Sequence, residues 1–154
     1  MTSPDPHWTA YASALLTPVV AVIGAYIAWR QSRTAQNKLK LDLFEKRFAV
    51  YNRARNMLTE IMTKGKLTDV SLYEYGAGVR EAKWLMDEEV AKYLSEEMWS
   101  NAVDLQTCDA ELEGLPVGEE RTRIVQKRAE LKKWFYAQHP ILDAKVGKFL
   151  SLSH

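Results

Sequence analysis

Residues 6–29 carry no Lys, Arg, Asp or Glu, and this uncharged stretch limits the fold more than any other feature of the sequence. A helix that crosses the roughly 30 Å hydrocarbon core of a bilayer needs about 20 mostly apolar residues. The run from Trp8 to Trp29 has that length, and its two terminal tryptophans suit the membrane interfaces. Pro18 lies near the middle, where a bilayer helix accepts a kink. We therefore predict a single transmembrane helix over residues 8–29.

Two other interpretations of this stretch are a cleaved signal peptide and a buried helix of a soluble protein. A signal peptide begins with basic residues, whereas the residues before Trp8 include Asp5 and neither Lys nor Arg. The apolar region is also longer than the usual core of a signal peptide. The uncharged length likewise disfavours a buried helix in a soluble domain. The membrane anchor is therefore the favoured interpretation.

The charges on either side of the predicted span indicate its orientation. On the N-terminal side, the amino terminus and His7 are the only groups that can carry positive charge, and Asp5 is negative. On the C-terminal side four cations precede the first acid; they are Arg30, Arg33, Lys38 and Lys40. Because positive flanks stay in the cytoplasm, we predict that residues 1–7 lie outside and that residues 30–154 form a cytoplasmic domain. The same cations are candidate lipid-headgroup contacts, although a stop-transfer role also explains them.

Small side chains recur along the predicted span at alternating spacings of four and three residues. This seam consists of Ala10, Ala14, Thr17, Ala21, Gly24 and Ala28. In a bilayer, small residues on one helix face let a second helix approach closely, and the spacing is that of a left-handed coiled coil. A single span must find its partner in another chain, so we predict a homo-oligomer. Small residues are abundant in this stretch, and chance is the alternative explanation.

Helical periodicity continues beyond the predicted span. No Pro or Gly occurs between Gln31 and Met62, so the transmembrane helix is expected to continue as a long rod that ends at Gly65. Residues at helical spacing are expected to form its buried face, with Leu41 and Ala54 on the same side. These residues are Phe44, Phe48, Tyr51, Leu58 and Met62.

The next part of the chain predicts two more helices. One begins at Asp69 or Ser71 and ends near Met86, and Asp87 begins the other with two acids in its first turn. The second of these helices has a seam at spacings of four and three residues. Its members are Leu94, Met98, Asn101, Leu105, Cys108 and Leu112.

The last third of the chain begins with a break at residues 114–118, which contain two Gly and one Pro. A helix over residues 119–138 is expected to stop at Pro140, after which a short final helix docks through Ile141 and Val146. No strand pattern occurs. The predicted fold class is all-α, with a single N-terminal transmembrane helix that continues into a cytoplasmic bundle of about four helices.

Charge is distributed in three blocks. Residues 30–66 contain ten basic and three acidic side chains, residues 69–120 contain three basic and fourteen acidic ones, and residues 121–154 contain eight basic and two acidic ones. The net charge of +1 is therefore a cancellation between blocks. We expect the acidic middle block to face the two basic blocks, within one subunit or between neighbours.

The sequence carries no recognisable catalytic or metal-binding motif. Its three histidines are far apart, no Cys/His spacing suits zinc, and Cys108 lies on a helical seam, so we predict neither enzymatic activity nor a cofactor. Basic residues near the C-terminus are candidates for an anionic ligand, although a solvated helix face also explains them. They are Arg121, Arg123, Lys127 and Arg128. Nucleic-acid binding is not favoured.

Three segments resemble a group of small uncharacterised bacterial inner-membrane proteins with one N-terminal anchor and a helical cytoplasmic domain. The segments are residues 37–51 directly after the predicted anchor, residues 84–94, and the loop over residues 114–118. The resemblance implies a location in the bacterial inner membrane. It implies no activity and no functional residues.

These observations favour a membrane-anchored, homo-oligomeric helical interaction protein that acts as a scaffold, sensor or accessory subunit. Its expected partners are membrane lipid, further copies of the chain and an unidentified protein. The alternative is an oligomeric membrane effector whose bundled spans form or regulate a pore, gated by an anionic ligand in one version. Few polar side chains in the span are available to line a pore, which favours a closed bundle.

Overall fold

The computed structural model describes residues 8–151, with side chains from Pro18 to Ser151. Every regular element in this part of the chain is helical, which confirms the all-α fold class. Two compact units are distinguished, unit 1 (Met1–Leu41) and unit 2 (Asp42–His154). The predicted extracytoplasmic segment, residues 1–7, lies outside the described residues.

Six α-helices and one π-helical segment make up the described chain. They are α1 (Trp8–Lys64), α2 (Asp69–Val79), α3 (Ala82–Leu85), α4 (Glu88–Lys92), the π segment (Tyr93–Met98), α5 (Trp99–Leu112) and α6 (Glu119–Gly147). The residues of α1 up to Leu41 belong to unit 1, and those from Asp42 onward belong to unit 2. The π segment joins α4 and α5 without a break, so unit 2 contains four main helical stretches.

The predicted end of α1 is confirmed. Gly65 adopts a left-handed φ of 67°, which an L side chain rarely does, and its N–H donates to the Ile61 carbonyl at 2.9 Å. The cap of α2 differs from the prediction, because Thr68 rather than Asp69 accepts the Ser71 N–H, at 3.2 Å. Asp87 caps α4 as predicted, with its carboxylate accepting the Val90 N–H at 2.9 Å.

The predicted break at Pro140 is wrong, because α6 continues through it to Gly147. Proline removes the backbone N–H that would bond the Tyr136 carbonyl, but Tyr136 is exposed, so water can reach that side of the helix. Leu142 and Val146 are fully buried beyond it, and their burial stabilises the continuation. Ile141, predicted to dock, is instead 39% exposed.

The predicted buried face of α1 is only partly right. Leu58 and Ala54 are buried as expected, but Phe48 and Met62 are 40% and 47% exposed. The residues of α1 that enter the core are Val50, Ala54, Met57, Leu58 and Ile61. This part of α1 is apolar on two sides, and periodicity alone does not say which side the other helices cover.

The core of unit 2 is formed by one side of each main helix. Leu58 of α1, Leu94 of the π segment, Leu105 of α5 and Phe135 of α6 are each fully buried. Burying a leucine or phenylalanine side chain stabilises a fold by about 1.5–3 kcal/mol relative to leaving it exposed. The shared core therefore determines which helix faces remain available at the surface.

Two buried polar contacts accompany the π segment. The Tyr75 hydroxyl donates to the Leu94 carbonyl at 2.5 Å, and the Tyr93 hydroxyl donates to Gln138 Oε1 at 2.9 Å. The Gln138 amide nitrogen in turn donates to the Trp134 carbonyl at 3.0 Å. A π turn disturbs the regular backbone ladder, so a side-chain donor from another helix satisfies a carbonyl there. Burial raises the pKa of both tyrosines above its ordinary value, and both hydroxyls stay protonated donors.

Replacing Tyr75 with Phe tests whether this hydroxyl supports the π segment. The change leaves the buried Leu94 carbonyl without its side-chain donor, so we expect the free energy of unfolding to fall by about 1–3 kcal/mol. Tyr73→Phe is the matched control, because Tyr73 is 76% exposed and the same change leaves no buried group unsatisfied. Urea denaturation followed by circular dichroism measures both variants, and equal stabilities would contradict the assignment.

Candidate interaction surfaces

The described part of unit 1 presents a continuous set of large apolar side chains that the other described residues of this unit leave exposed. Each of them is 48–69% exposed, and no Lys, Arg, Asp or Glu interrupts them before Arg30. They are Val19, Val20, Val22, Ile23, Tyr26, Ile27 and Trp29. An apolar surface of this length is unfavourable in water, and such patches mark contacts with lipid or with another protein.

Within the described residues, no helix has an apolar stretch of sufficient length and hydropathy to cross a membrane. The first ten side chains of the span predicted over residues 8–29 lie outside the described residues. The anchor therefore stays a prediction.

The predicted oligomerisation seam lies partly within the described side chains. Ala21, Gly24 and Ala28 are exposed on α1, and a Cβ added at Gly24 meets no atom within 4 Å. The side chains of the other three members, Ala10, Ala14 and Thr17, lie outside the described residues. The surface of α1 at Gly24 is therefore open to a neighbouring helix.

The four candidate lipid-headgroup residues, Arg30, Arg33, Lys38 and Lys40, are all exposed on α1. The Arg33 guanidinium lies 5.9 Å from the centre of the Trp29 ring, within the range of a cation–π contact. The Trp29 ring is also 6.3 Å from that of Tyr26. Aromatic rings next to cations are typical of the boundary between hydrocarbon and headgroups.

In unit 2, ion pairs connect the acidic block to both basic blocks, as the charge pattern predicts. Arg53 of α1 pairs with Glu74 of α2 at 3.2 Å. Four pairs then join α6 or the residue that follows it to the acidic block: Lys127–Asp104, Arg128–Asp109, Lys145–Glu89 and Lys148–Asp87. Arg128–Asp109 is partly buried and the other pairs are more exposed; exposed pairs contribute little energy each, so those contacts select an arrangement more than they stabilise it.

The cations predicted to bind an anionic ligand are mostly engaged inside unit 2. Arg121 donates hydrogen bonds to the Leu112 and Leu115 carbonyls, and these bonds hold the loop before α6. Arg128 donates to the Gly65 carbonyl at 3.2 Å, in addition to its pair with Asp109. Lys127 pairs with Asp104, and Arg123 alone of the four is exposed without a described contact. The structure therefore does not bring these four cations together around a common pocket in the described chain.

A groove in unit 2, which sequence reasoning missed, lies between α2 and the start of α5. Its volume is about 270 Å³, and its lining residues are Tyr73, Gly76, Ala77, Val79, Arg80, Ser95 and Trp99. The Trp99 ring lies so close to α2 that a Cβ at Gly76 would be 2.5 Å from it. The absence of a side chain at Gly76 therefore permits this approach. The sequence signal for this groove is a second set of α2 residues at helical spacing, Tyr73 and Ala77, on the side opposite the buried Leu72 and Val79.

Two features of the described residues bear on catalysis. These residues contain no group of three or more His, Cys, Asp or Glu side chains able to hold a metal ion. Cys108 is buried, and burial raises the pKa of its thiol, which keeps it out of the reactive thiolate form.

Comparison with protein-family models, with curated proteins and with solved structures found no match to this chain. The resemblance to small bacterial inner-membrane proteins thus stays a prediction from the sequence.

The ion pairs between α4 and the end of α6 predict a pH dependence of stability. Hydrogen bonds from Lys148 and Lys145 lower the pKa of Asp87 and of Glu89 below their ordinary values of 3.8 and 4.5. A carboxylate with a lowered pKa in the folded state stabilises the fold above its ordinary pKa, and that contribution disappears as the pH falls through the lowered value.

Lys148→Met should therefore reduce the free energy of unfolding at neutral pH. Below the lowered pKa of Asp87, the free energies of unfolding of the variant and the original chain should become equal. Lys133→Met is the control, because it removes the same charge from an exposed position outside these ion pairs. Urea denaturation as a function of pH measures the difference. A difference that is independent of both pH and salt would contradict the electrostatic assignment.

Gly76→Ala tests the close approach of Trp99 to α2. The added methyl would displace the Trp99 ring, so we expect a loss of about 1–3 kcal/mol in the free energy of unfolding. Gly147→Ala is the control, because a Cβ there meets nothing within 4 Å and alanine favours a helix by up to about 1 kcal/mol. Equal effects of the two substitutions would contradict the close packing.

Proposed function

We propose that this chain is a membrane-anchored, homo-oligomeric helical interaction protein that acts as a scaffold, sensor or accessory subunit. Its anchor lies in a bacterial inner membrane, with the N-terminus on the extracytoplasmic side and the helical domain in the cytoplasm. The observation that carries this proposal is the exposed apolar surface between Val19 and Trp29. Water solvates such a surface poorly, whereas hydrocarbon and a neighbouring helix both cover it.

The flanking residues support one orientation of this anchor. Trp29, Arg30 and Arg33 follow one another at the C-terminal end of the apolar surface, and Lys38 adds further positive charge. Basic side chains near the end of a span remain on the cytoplasmic side and are attracted to anionic headgroups. This arrangement supports the assignment of unit 2 to the cytoplasm.

The seam supports assembly rather than a solitary anchor. Small residues at Ala21, Gly24 and Ala28 leave the backbone of α1 accessible on one side. Packing is the main attraction between helices in lipid, because the tails are as apolar as the side chains. A second α1 helix is therefore the partner that the seam fits.

Gly24→Leu tests the seam. Ala25→Leu is the matched control, because it adds a leucine to the same helix outside the seam. The Gly24 variant should weaken the oligomer about tenfold, the effect of about 1.4 kcal/mol, because leucine keeps the two backbones apart. Native mass spectrometry in detergent measures the oligomer as a function of dilution. Equal effects of both substitutions, or no effect of either, would remove the seam from the assembly.

The anchor itself is tested by fractionation and by vesicles. The full-length chain should remain with membranes after carbonate extraction and should float with liposomes. Recovery of the unprocessed chain in the aqueous fraction without detergent would overturn the proposal. Strong leakage of dye from liposomes that contain the purified chain would replace the scaffold with a pore-forming effector.

A further inference from the structure

Helix α2 is apolar on two sides, and only one of them enters the core. Leu72, Tyr75 and Val79 are buried. The opposite side carries exposed residues at spacings of three, four and three; we call it the α2 stripe, and its members are Val70, Tyr73, Ala77 and Arg80. Val70 and Tyr73 are 67% and 76% exposed. A helix that leaves such a stripe uncovered has the pattern of one that packs against a further helix.

The stripe forms one wall of the groove described above. Tyr73, Ala77 and Arg80 all line it, and Ser95 and Trp99 line the other wall. The groove is therefore apolar and aromatic, with one cation. Arg80 forms no ion pair within the described chain, although its segment is strongly acidic.

We propose that the α2 stripe is a contact between two copies of this chain, in which the two α2 helices cross antiparallel at Ala77. Ala77 is the smallest member of the stripe, so the two backbones approach most closely there. A twofold axis through this point makes the contact self-complementary, because each copy presents the same residues to the other.

The antiparallel register places complementary groups opposite each other. Tyr73 and Arg80 lie four residues before and three residues after Ala77, so Arg80 of one copy approaches the ring of Tyr73 in the other. Glu74 lies three residues before Ala77 and already pairs with Arg53 of its own chain, so Arg80 of the second copy would be a second cation near this exposed carboxylate. Each Arg80 thereby gains a cation–π contact and an opposite charge, and this occurs twice in the dimer.

Beyond the centre of the contact, Val70 and Trp84 are each seven residues from Ala77. Trp84 is 79% exposed, and Arg80 and Glu81 keep right-handed helical dihedral angles between α2 and α3. Trp84 belongs to the separate helix α3, so it lies at the edge of the proposed contact and outside the α2 stripe. A parallel pairing would instead place Arg80 against Arg80, where like charges repel.

The contact involves about six residues of each copy, fewer than the roughly 20–30 residues a side of a stable dimer in solution. The contact therefore rests on the proposed function: anchoring in the same membrane raises the local concentration of the chains, so that a small surface is enough for dimerisation. The contact in unit 2 and the seam in unit 1 are nevertheless separate surfaces, and each can be tested without the other.

Disulfide cross-linking of the full chain in liposomes tests the proposal. Ala77→Cys should form a covalent dimer several-fold faster than Ala129→Cys, which places a thiol at an exposed position on α6. The unaltered chain gives the background, because its only thiol, Cys108, is buried. Cross-linking of Ala77→Cys no faster than Ala129→Cys would overturn the proposal.

A charge substitution tests the role of Arg80 in the same assay. Arg80→Glu in the Ala77→Cys chain should lower the rate of cross-linking several-fold, because it places an acid opposite Glu74. Arg123→Glu makes the same change of charge at an exposed position on α6 and should leave the rate unchanged. Equal rates in the two variants would overturn the antiparallel register.

Ala28→Cys, run in parallel, separates this contact from the anchor seam. If Ala28→Cys cross-links and Ala77→Cys does not, the proposed function stands and the α2 contact is overturned. If Ala77→Cys cross-links and Ala28→Cys does not, the α2 contact stands and the seam in unit 1 is overturned.

Discussion

Unit 2 depends on the burial of one side of each main helix in a single shared core. Leu58, Leu94 and Phe135 come from distant parts of the chain, and all three are completely buried. Their burial places α1, the π segment and α6 against one another. Each helix then has one side left over, and those remaining sides are the surfaces on which the proposed functions rest.

Charge selects among the ways in which these helices could pack. The acidic block is paired with α1 through Glu74 and with α6 through Asp104 and Asp109. Individual exposed pairs are weak, yet an alternative arrangement of the same helices would place acids against acids. The cations near the C-terminus that suggested an anionic ligand are largely used in this way. Their positive charge serves the fold of unit 2.

The two proposed contacts share a physical reason. Unit 1 exposes a continuous apolar surface, and α2 exposes an aromatic stripe next to a groove. In each case the chain contains more apolar surface than its own core covers. Lipid and a second α1 are the proposed cover for the first surface, and a second α2 is the proposed cover for the other.

Local signals in the sequence were sufficient for the all-α class and for several helix ends, although the helix predicted to end near Met86 stops at Val79 and is followed by α3. Gly65 ends α1 because its backbone adopts a conformation that suits glycine, and Asp87 begins α4 because its carboxylate accepts a backbone N–H; both effects involve only neighbouring residues. The uncharged stretch before Arg30 and the three charge blocks were likewise readable without a structure.

Only the tertiary structure decided which side of an apolar helix is covered. Phe48 and Met62 have the spacing of core residues but are exposed, and α6 continues through Pro140 because Leu142 and Val146 pack beyond it. The π segment and the groove beside Trp99 arise from contacts between helices far apart in the sequence. Periodicity reports that a helix has an apolar side, but packing against other helices determines whether that side is buried, and this information is not local.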